Sequence, residues 1–557
     1  MDIEKRSAIT GSISDQLGKW SLVAFGCTAA FYLIWQMMFR FNRHLRLISS
    51  FGDTRQRYFI SAHGTFAWFK EHIIYAPLFR NRHNREFQLS SAINMGNLPS
   101  RVHGALTFGL IGMNVALCVV KLPYSLGSEA VVGAVISRTG TLATINLIPL
   151  MIMVGRNNPL ISLLHVPFDT WNLLHRWLGR VVVLEGVAHT LAWAVSKAQT
   201  MGWSVVNEAV MGESFLWHGL MVRFLPSPPT YIHTYIFCMG GLWVHLDGMP
   251  SQNYLLAAII LWIVERFIRL VTIIYRNIGS NCTTATVEAL YGDAMRIHLR
   301  LARPWTVRPG QHLYLYIPAI GWWTSHPFSV AWSEQTVLNE KGLPVSSGDS
   351  FDYAKQETIS PPRPPLHRPN RQAALATTGL KLRAFAEGPY GSIHSMDSYG
   401  TVMLFAGGVG VTHHIPFVRH LVAGHAEGTV AARRVTLVWI IQSPEHLEWI
   451  RPWMTQILAM DRRREVLQIK LFITRPRSAK EIQSPSSTVQ MFPGRPNIDT
   501  LVGMEVENQV GAMGVLVCGN GSLSDDVRQV CRRRQSGSNL DLYRRELFVV
   551  DGGEKAP

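Results

Sequence analysis

The stretch Leu173–Val195, LLHRWLGRVVVLEGVAHTLAWAV, decides how this chain is read. It is an apolar run of the length a helix needs to cross a bilayer, yet it carries two histidines, His175 and His189, fourteen residues apart. Fourteen steps of 100° return to within about 40° of the start, so both rings lie on one helix face, about 21 Å apart along the axis. Imidazole in hydrocarbon is costly unless it is hydrogen-bonded, paired or ligating a metal, and this spacing has the geometry for two stacked haems. An interhelical hydrogen bond from each ring is the plainer alternative.

Working outward, further apolar runs long enough to span are Trp20–Phe39, Gly104–Leu122, Val131–Val154 and Tyr254–Tyr275, with a short sixth at Tyr231–Leu246. Tyr58–Phe79 is interrupted by His63, Lys70, Glu71, His72 and Pro77 and reads as an interfacial segment. Basic residues cluster at alternate ends of the runs: Arg40, Arg43, Arg46, Arg55 and Arg57, then Arg156, Arg176 and Arg180, then Arg266, Arg269 and Arg276. The positive-inside rule assigns these ends to the cytosol. Between Lys197 and Gln252 the chain must then cross an even number of times, but only the stub Phe215–Leu225, broken by Pro226, Pro228 and Pro229, precedes Tyr231.

The whole chain of 557 residues is 47% hydrophobic, and 53 Lys and Arg against 37 Asp and Glu give a formal charge of +16. No aromatic-basic nucleic-acid motif accompanies that charge, and no nucleic-acid partner is expected. Cys27, Cys118, Cys238, Cys282, Cys518 and Cys531 are scattered without a CxxC, which argues against a disulfide scaffold or a zinc site. No cleaved signal peptide is evident, so the first span is expected to act as its own membrane signal.

From Asn281 the pattern changes to short strands. Arg296–Ala302 and Gln311–Ile317 are bounded by Pro304, Pro309 and Gly310, and Glu334–Thr378 is polar, proline-rich and read as a disordered loop. Beyond it Thr401–Phe405, Val435–Ile441, Gln468–Thr474 and Gly514–Cys518 are buried-strand runs separated by helix-length segments, the signature of a parallel α/β sheet. Two of these strands enter glycine turns, Gly407-Gly408-Val409-Gly410-Val411-Thr412 and Cys518-Gly519-Asn520-Gly521. Glycines let backbone approach a phosphate, and ligands of open α/β sheets bind at the carboxyl ends of strands, so the two turns together predict a dinucleotide crevice. Either turn alone is equally well read as a tight strand-to-helix connection.

The combination resembles the fungal ferric-chelate reductases. In order along the chain it comprises Asn157 to Leu160, Asn172 to Arg180, Gly241 to Leu246, Arg308 to His312, His326-Pro327-Phe328-Ser329, Gly388 to Gly391 and Gly407 to His413, within roughly residues 100 to 530. The resemblance implies a multi-domain fold: an α-helical transmembrane haem domain followed by a cytosolic ferredoxin-reductase-like module, an antiparallel β-barrel FAD domain plus a parallel α/β NADPH domain. The boundaries expected are 1–103 for a first span and basic region, 104–276 for the haem domain, 281–395 for the FAD domain and 400–548 for the NADPH domain.

The resemblance further implies a multi-pass plasma-membrane protein using two b haems, FAD and NADPH, with ferric or cupric chelates and siderophores as acceptors, membrane lipid around it and an iron-uptake permease as a downstream partner. Residue by residue, His175 and His189 resemble ligands on one helix and His245 the outer ligand on its neighbour. The family pattern places the inner partner at Tyr231; the nearest histidine is His233, twelve residues before His245, with His218 the other candidate. His326, Pro327, Phe328 and Ser329 look like the flavin contact, and Phe548 like the aromatic that would cover it. Gly407, Gly408, Gly410, Thr412, Gly519 and Gly521 look like the nicotinamide dinucleotide site, with Cys518 beside the nicotinamide as the catalytic candidate or as a buried structural cysteine. A superoxide-producing NADPH oxidase shares these features, and the shortened segment Val222–Met239 leaves open a non-catalytic family member without a complete inner haem site.

Overall fold

The computed structural model describes residues 2–62, 64–78, 86–90, 93–97, 100–212, 238–292, 294–321, 324–334, 380–391, 394–476, 478 and 482–546. His218, Tyr231, His233, Trp322, Trp323, Phe548 and nearly all of Glu334–Thr378 lie outside the described residues. The chain divides into two compact units, Met1–Arg46 with Gly64–Ile274, and Leu47–His63 with Tyr275–Pro557.

The first unit is helical. In chain order its elements are α1 (Asp2–Gly52, which runs on past the unit's edge), α2 (Gly64–Phe69), a hairpin of β1 (Glu86–Ser90) and β2 (Ile93–Asn97), α3 (Arg101–Val119), α4 (Ser128–Val154), α5 (Pro159–Leu164), α6 (Phe168–Met201), α7 (Trp203–Gly212), a helical stretch at 238–245, and α8 (Ser251–Asn277). Local chemistry sets the ends. Ser100 caps α3 by accepting from the His103 amide, Asn158 caps α5 ahead of Pro159, and Gly202, at φ +87°, ends α6.

Among the described residues, four helical segments are long and apolar enough to cross a membrane: Gly11–Phe51, Arg101–Leu126, Ser128–Val154 and Phe168–Met201. Half of the most apolar window of α4 is buried, against none of α1, so α4 is central and α1 peripheral. Phe31, Ile34, Met37, Met38 and Phe41 of α1 are each more than half exposed, a face that requires an apolar surround. Helix α8 contains the expected run Tyr254–Tyr275, but Glu265, Arg266 and Arg269 interrupt its second half and it is not among the four. Leu110, Leu147, Leu150, Trp171, Leu178 and Leu255 form the centre of the packing.

The second unit is built from sheets. β3 (Thr284–Leu290) pairs antiparallel with β4 (Ala294–Arg300) and β7 (Leu380–Arg383); β5 (Gln311–Tyr316) pairs antiparallel with β6 (His326–Ser329) and β8 (Phe385–Gly391). Ala285, Leu313, Leu315 and Ala384 form their shared core.

A six-stranded parallel sheet follows, in the order β12-β11-β10-β9-β13-β14. Its strands are β9 (Thr401–Gly407), β10 (Arg434–Ile441), β11 (Leu467–Ile473), β12 (Val489–Pro493), β13 (Met513–Gly519) and β14 (Leu540–Glu546). Helices α9 (Val411–Glu427), α10 (Arg451–Met460), α11 (Ile498–Glu507) and α12 (Gly521–Arg533) connect them. Because β10 lies on one side of β9 and β13 on the other, the direction of winding reverses at β9, and a crevice opens at the carboxyl ends of β9 and β13. Both strands are almost wholly buried, which accounts for their unbroken apolar sequences.

Candidate functional site

In the helical unit α4 and α6 run antiparallel, and the two histidines of α6 are held alike. His175 Nδ1 donates to the Leu150 carbonyl at 3.0 Å, and His189 Nδ1 donates to the Ile136 carbonyl at 2.8 Å. Ile136 and Leu150 are themselves fourteen residues apart. The fourteen-residue step on one helix is therefore matched by the same step on its antiparallel neighbour. Donation from Nδ1 leaves Nε2 of each ring with its lone pair, the state in which imidazole binds a metal. The interhelical hydrogen bond and the ligand reading are thus two ends of the same ring.

His189 also faces His245, with ring centroids 6.1 Å apart and planes at 86°. Two imidazoles that each bound one metal through nitrogen at about 2 Å would have centroids roughly 6 Å apart, so the spacing of this pair fits residues that would hold a haem between them. Room for the His189 ring is made by Gly140 of α4: a Cβ there would stand 2.9 Å from Nδ1. A glycine inside a helix costs about 1 kcal/mol relative to alanine, and that cost was the available signal for a close approach. The second ligand for His175 falls, on the expectation above, in 213–237, outside the described residues.

In the antiparallel sheets, His326, Pro327, Phe328 and Ser329 form β6 and lie opposite Leu315, Tyr314, Leu313 and His312 of β5. His326 and Phe328 are exposed. On the other side of β5, the buried carboxylate of Glu387 accepts from the hydroxyls of Tyr316 and Tyr390, each at 2.8 Å. Asn277 fixes the same strand from the end of α8: its Nδ2 donates to the Ala386 carbonyl, and its Oδ1 accepts from the Ala386 amide. This Glu-Tyr-Tyr lock was not foreseen, because its members are spread over two strands.

The two glycine turns meet. A Cβ on Gly407 would stand 3.2 Å from the Gly519 Cα, and one on Gly519 3.1 Å from the Gly407 nitrogen. Gly410 packs against the Cys518 carbonyl so closely that a Cβ would collide with it. Gly408, at φ +53°, faces open space, its carbonyl accepting from Trp439 Nε1 at 2.9 Å. Thr412 Oγ1 donates to the Val409 carbonyl, tightening the turn into α9. At the second turn Asn520 accepts from the Leu523 amide and caps α12, whose first residue is Gly521. Cys518 is 1% exposed, beside Ala406 in the sheet, with its Sγ 3.5 Å from where a Cβ on Gly410 would stand.

His414, in the first turn of α9, is fully buried and donates from Nε2 to the Phe405 carbonyl at 2.8 Å. Burial lowers its pKa to about 4, only partly opposed by that hydrogen bond, so the ring is neutral at physiological pH. Arg475 lies two residues beyond β11; its amide donates to the Gln442 carbonyl at 3.0 Å, while its side chain is exposed at the same edge of the sheet. Neither residue was singled out by motif.

The chain is similar in sequence to known proteins. Residues 399–532 match the family described as "Ferric reductase NAD binding domain", residues 139–226 match "Ferric reductase like transmembrane component", and residues 280–394 match "FAD-binding domain". Ferric reductase transmembrane component 3 of Saccharomyces cerevisiae is 23% identical over 507 residues, covering 81% of this chain and 67% of its own. Ferric/cupric reductase transmembrane component 2 of the same yeast is 24% identical over 400 residues, covering 68% of this chain and 53% of its own. Ferric/cupric reductase transmembrane component 1 of Candida albicans is 25% identical over 521 residues, covering 83% and 64% respectively. The chain spans from about half to about two thirds of the length of these relatives.

Proposed function

We infer that this chain, which belongs to the fungal ferric reductase family, carries electrons across a membrane to ferric or cupric chelates. In this reading the paired glycine turns would bind NADPH, β6 would face FAD, and of two b haems His189 and His245 would hold the outer and His175 would supply one ligand of the inner. The membrane is the plasma membrane, and an iron-uptake permease is the natural user of the product. The observation that carries the reading is the fourteen-residue register shared by His175, His189 and their two carbonyl acceptors.

Flavin and haem, when bound, supply the change from two-electron to one-electron chemistry. The chain's own residues orient and insulate. The Leu150 and Ile136 carbonyls fix the tautomer and the ring plane of each histidine. Gly407, Gly410 and Gly519 bring backbone close enough to cradle a phosphate, and the Gly408–Gly410 turn leads into the positive end of α9, which favours an anion there. His326 and Phe328 present the exposed side chains of β6 to the flavin. Cys518 sets the floor of the nicotinamide pocket by packing.

The test is expression in membranes that lack endogenous reductase. NADPH is expected to bleach an oxidised b-type spectrum and to reduce a ferric chelate, read with a ferrous-specific dye. Superoxide output in the same membranes, in place of ferrous iron, would identify an oxidase; absence of any b-type absorbance would end the electron-transfer reading.

A further inference from the structure

The helical unit contains a polar cluster for which the proposed haem ligands do not account. Asn114 of α3, Asn146 of α4 and Glu185 of α6 are 3%, 0% and 6% exposed. Asn146 Nδ2 donates to Asn114 Oδ1 at 2.8 Å and to Glu185 Oε2 at 3.0 Å, so one amide ties three helices together. Asn114 Nδ2 donates onward to the Leu110 carbonyl. Asn146 Oδ1 is buried without a hydrogen-bond partner.

The titratable and charged groups facing Glu185 from the packed elements are Cys118 on α3 and, behind it, Arg138 on α4. Arg138 is committed to the carbonyls of Val120 and Lys121. Among the described residues no basic side chain pairs with Glu185. A carboxylate so placed is expensive in hydrocarbon, and one amide N–H offsets little of that cost, whereas the neutral acid is far cheaper to bury. The Asn146 amide can serve both forms: its N–H donates to the carboxylate, and its spare oxygen, after rotation of the amide, accepts from the acid O–H.

Glu185 lies four residues before His189, so it sits one helical turn away, about 6 Å along the axis and within about 40° of the same face. We propose that Glu185 takes up a proton when the metal centre at His189 is reduced and releases it on reoxidation. This rests on the reading that α6 carries haem. In balance, one electron delivered from the nicotinamide nucleotide through the flavin converts iron(III) to iron(II), and one proton from water converts the Glu185 carboxylate to the acid. When the electron leaves for the chelate the proton returns to water. The charge at the site is then the same before and after, because the proton offsets the added electron.

Full-length protein in lipid nanodiscs, titrated spectroelectrochemically at several pH values, tests this. For one of the haems the midpoint is expected to fall as pH rises, approaching a tenfold change in reduction equilibrium per pH unit, which is 59 mV for one electron. In Glu185→Gln that slope is lost, with the other haem unchanged. The reduced-minus-oxidised infrared spectrum of the wild type is expected to gain a protonated carboxyl band that the variant lacks; should the variant fail to accumulate, the wild-type slope and band decide alone. A flat wild-type midpoint, a slope that survives Glu185→Gln, or a missing carboxyl band overturns the inference. Haems with pH-independent midpoints overturn it alone, while absence of b-type absorbance overturns the underlying reading with it.

Discussion

The imidazole of His189 meets that of His245 with centroids 6.1 Å apart, and the first of these rings rests on Gly140, where any side chain would intrude on its Nδ1. Gly140→Ala should therefore displace the ring. The expected outcome is loss or marked weakening of one b haem, seen as a fall in haem per protein toward half. Gly133→Ala on the same helix adds a methyl group to open space and should leave haem content intact, with a gain of about 0.5–1 kcal/mol in helix stability. Equal effects of the two substitutions would show that Gly140 plays no part in seating the ring.

The inner site can be assigned by counting haems. His233→Ala should remove one b haem while leaving the His189 centre spectroscopically unchanged, and His218→Ala should leave both. The reverse result would transfer the inner axial role to His218.

Arg475 offers an exposed guanidinium at the carboxyl edge of the sheet, beside Gln442. An arginine so placed suits the extra phosphate that distinguishes NADPH from NADH. Arg475→Ala is expected to raise KM for NADPH by roughly tenfold, about 1.4 kcal/mol, with little change in kcat or in the KM for NADH. A proportional loss with both nucleotides would rule out phosphate discrimination.

His414 makes the nucleotide module sensitive to acid. Its folded pKa, about 4, lies below the usual histidine value of 6.5, so the stability it preserves is complete above pH 6.5 and lost as pH falls toward 4. Across that window the unfolded chain takes up a proton that the folded one refuses, a loss approaching 1.4 kcal/mol per pH unit. Unfolding of the full chain followed by tryptophan fluorescence should show this slope, and His414→Gln, which can still donate to Phe405, should flatten it. An unchanged slope in the variant would assign the acid sensitivity elsewhere.

The sequence carried the strands of the parallel sheet well: the apolar run Val435–Ile441 became Arg434–Ile441, and Gly514–Cys518 became Met513–Gly519. A strand buried on both faces must be apolar throughout, and that pattern survives in one dimension. The edge strands Val489–Pro493 and Leu540–Glu546 carry proline and charge because one side has no neighbour, so they left no comparable signal. The hairpin Glu86–Ser90 with Ile93–Asn97 lacks a turn dipeptide and was also missed. At the site, the spacing of His175 and His189 was legible from helical period alone. Their acceptors were not, since a backbone carbonyl is present at every residue and only packing selects Ile136 and Leu150.

That shared register has a consequence for how the pathway could evolve. Because both imidazoles hang from one rigid rod and are pinned to a second rod at the same interval, the rods work as a ruler that sets the separation of the two ligands at about 21 Å along the axis. With a haem at each imidazole, as proposed, tunnelling would fall steeply with distance, and the hop between the two would be protected from most side-chain substitutions nearby. Selection could then retune the potential of each haem through its neighbours without altering that gap.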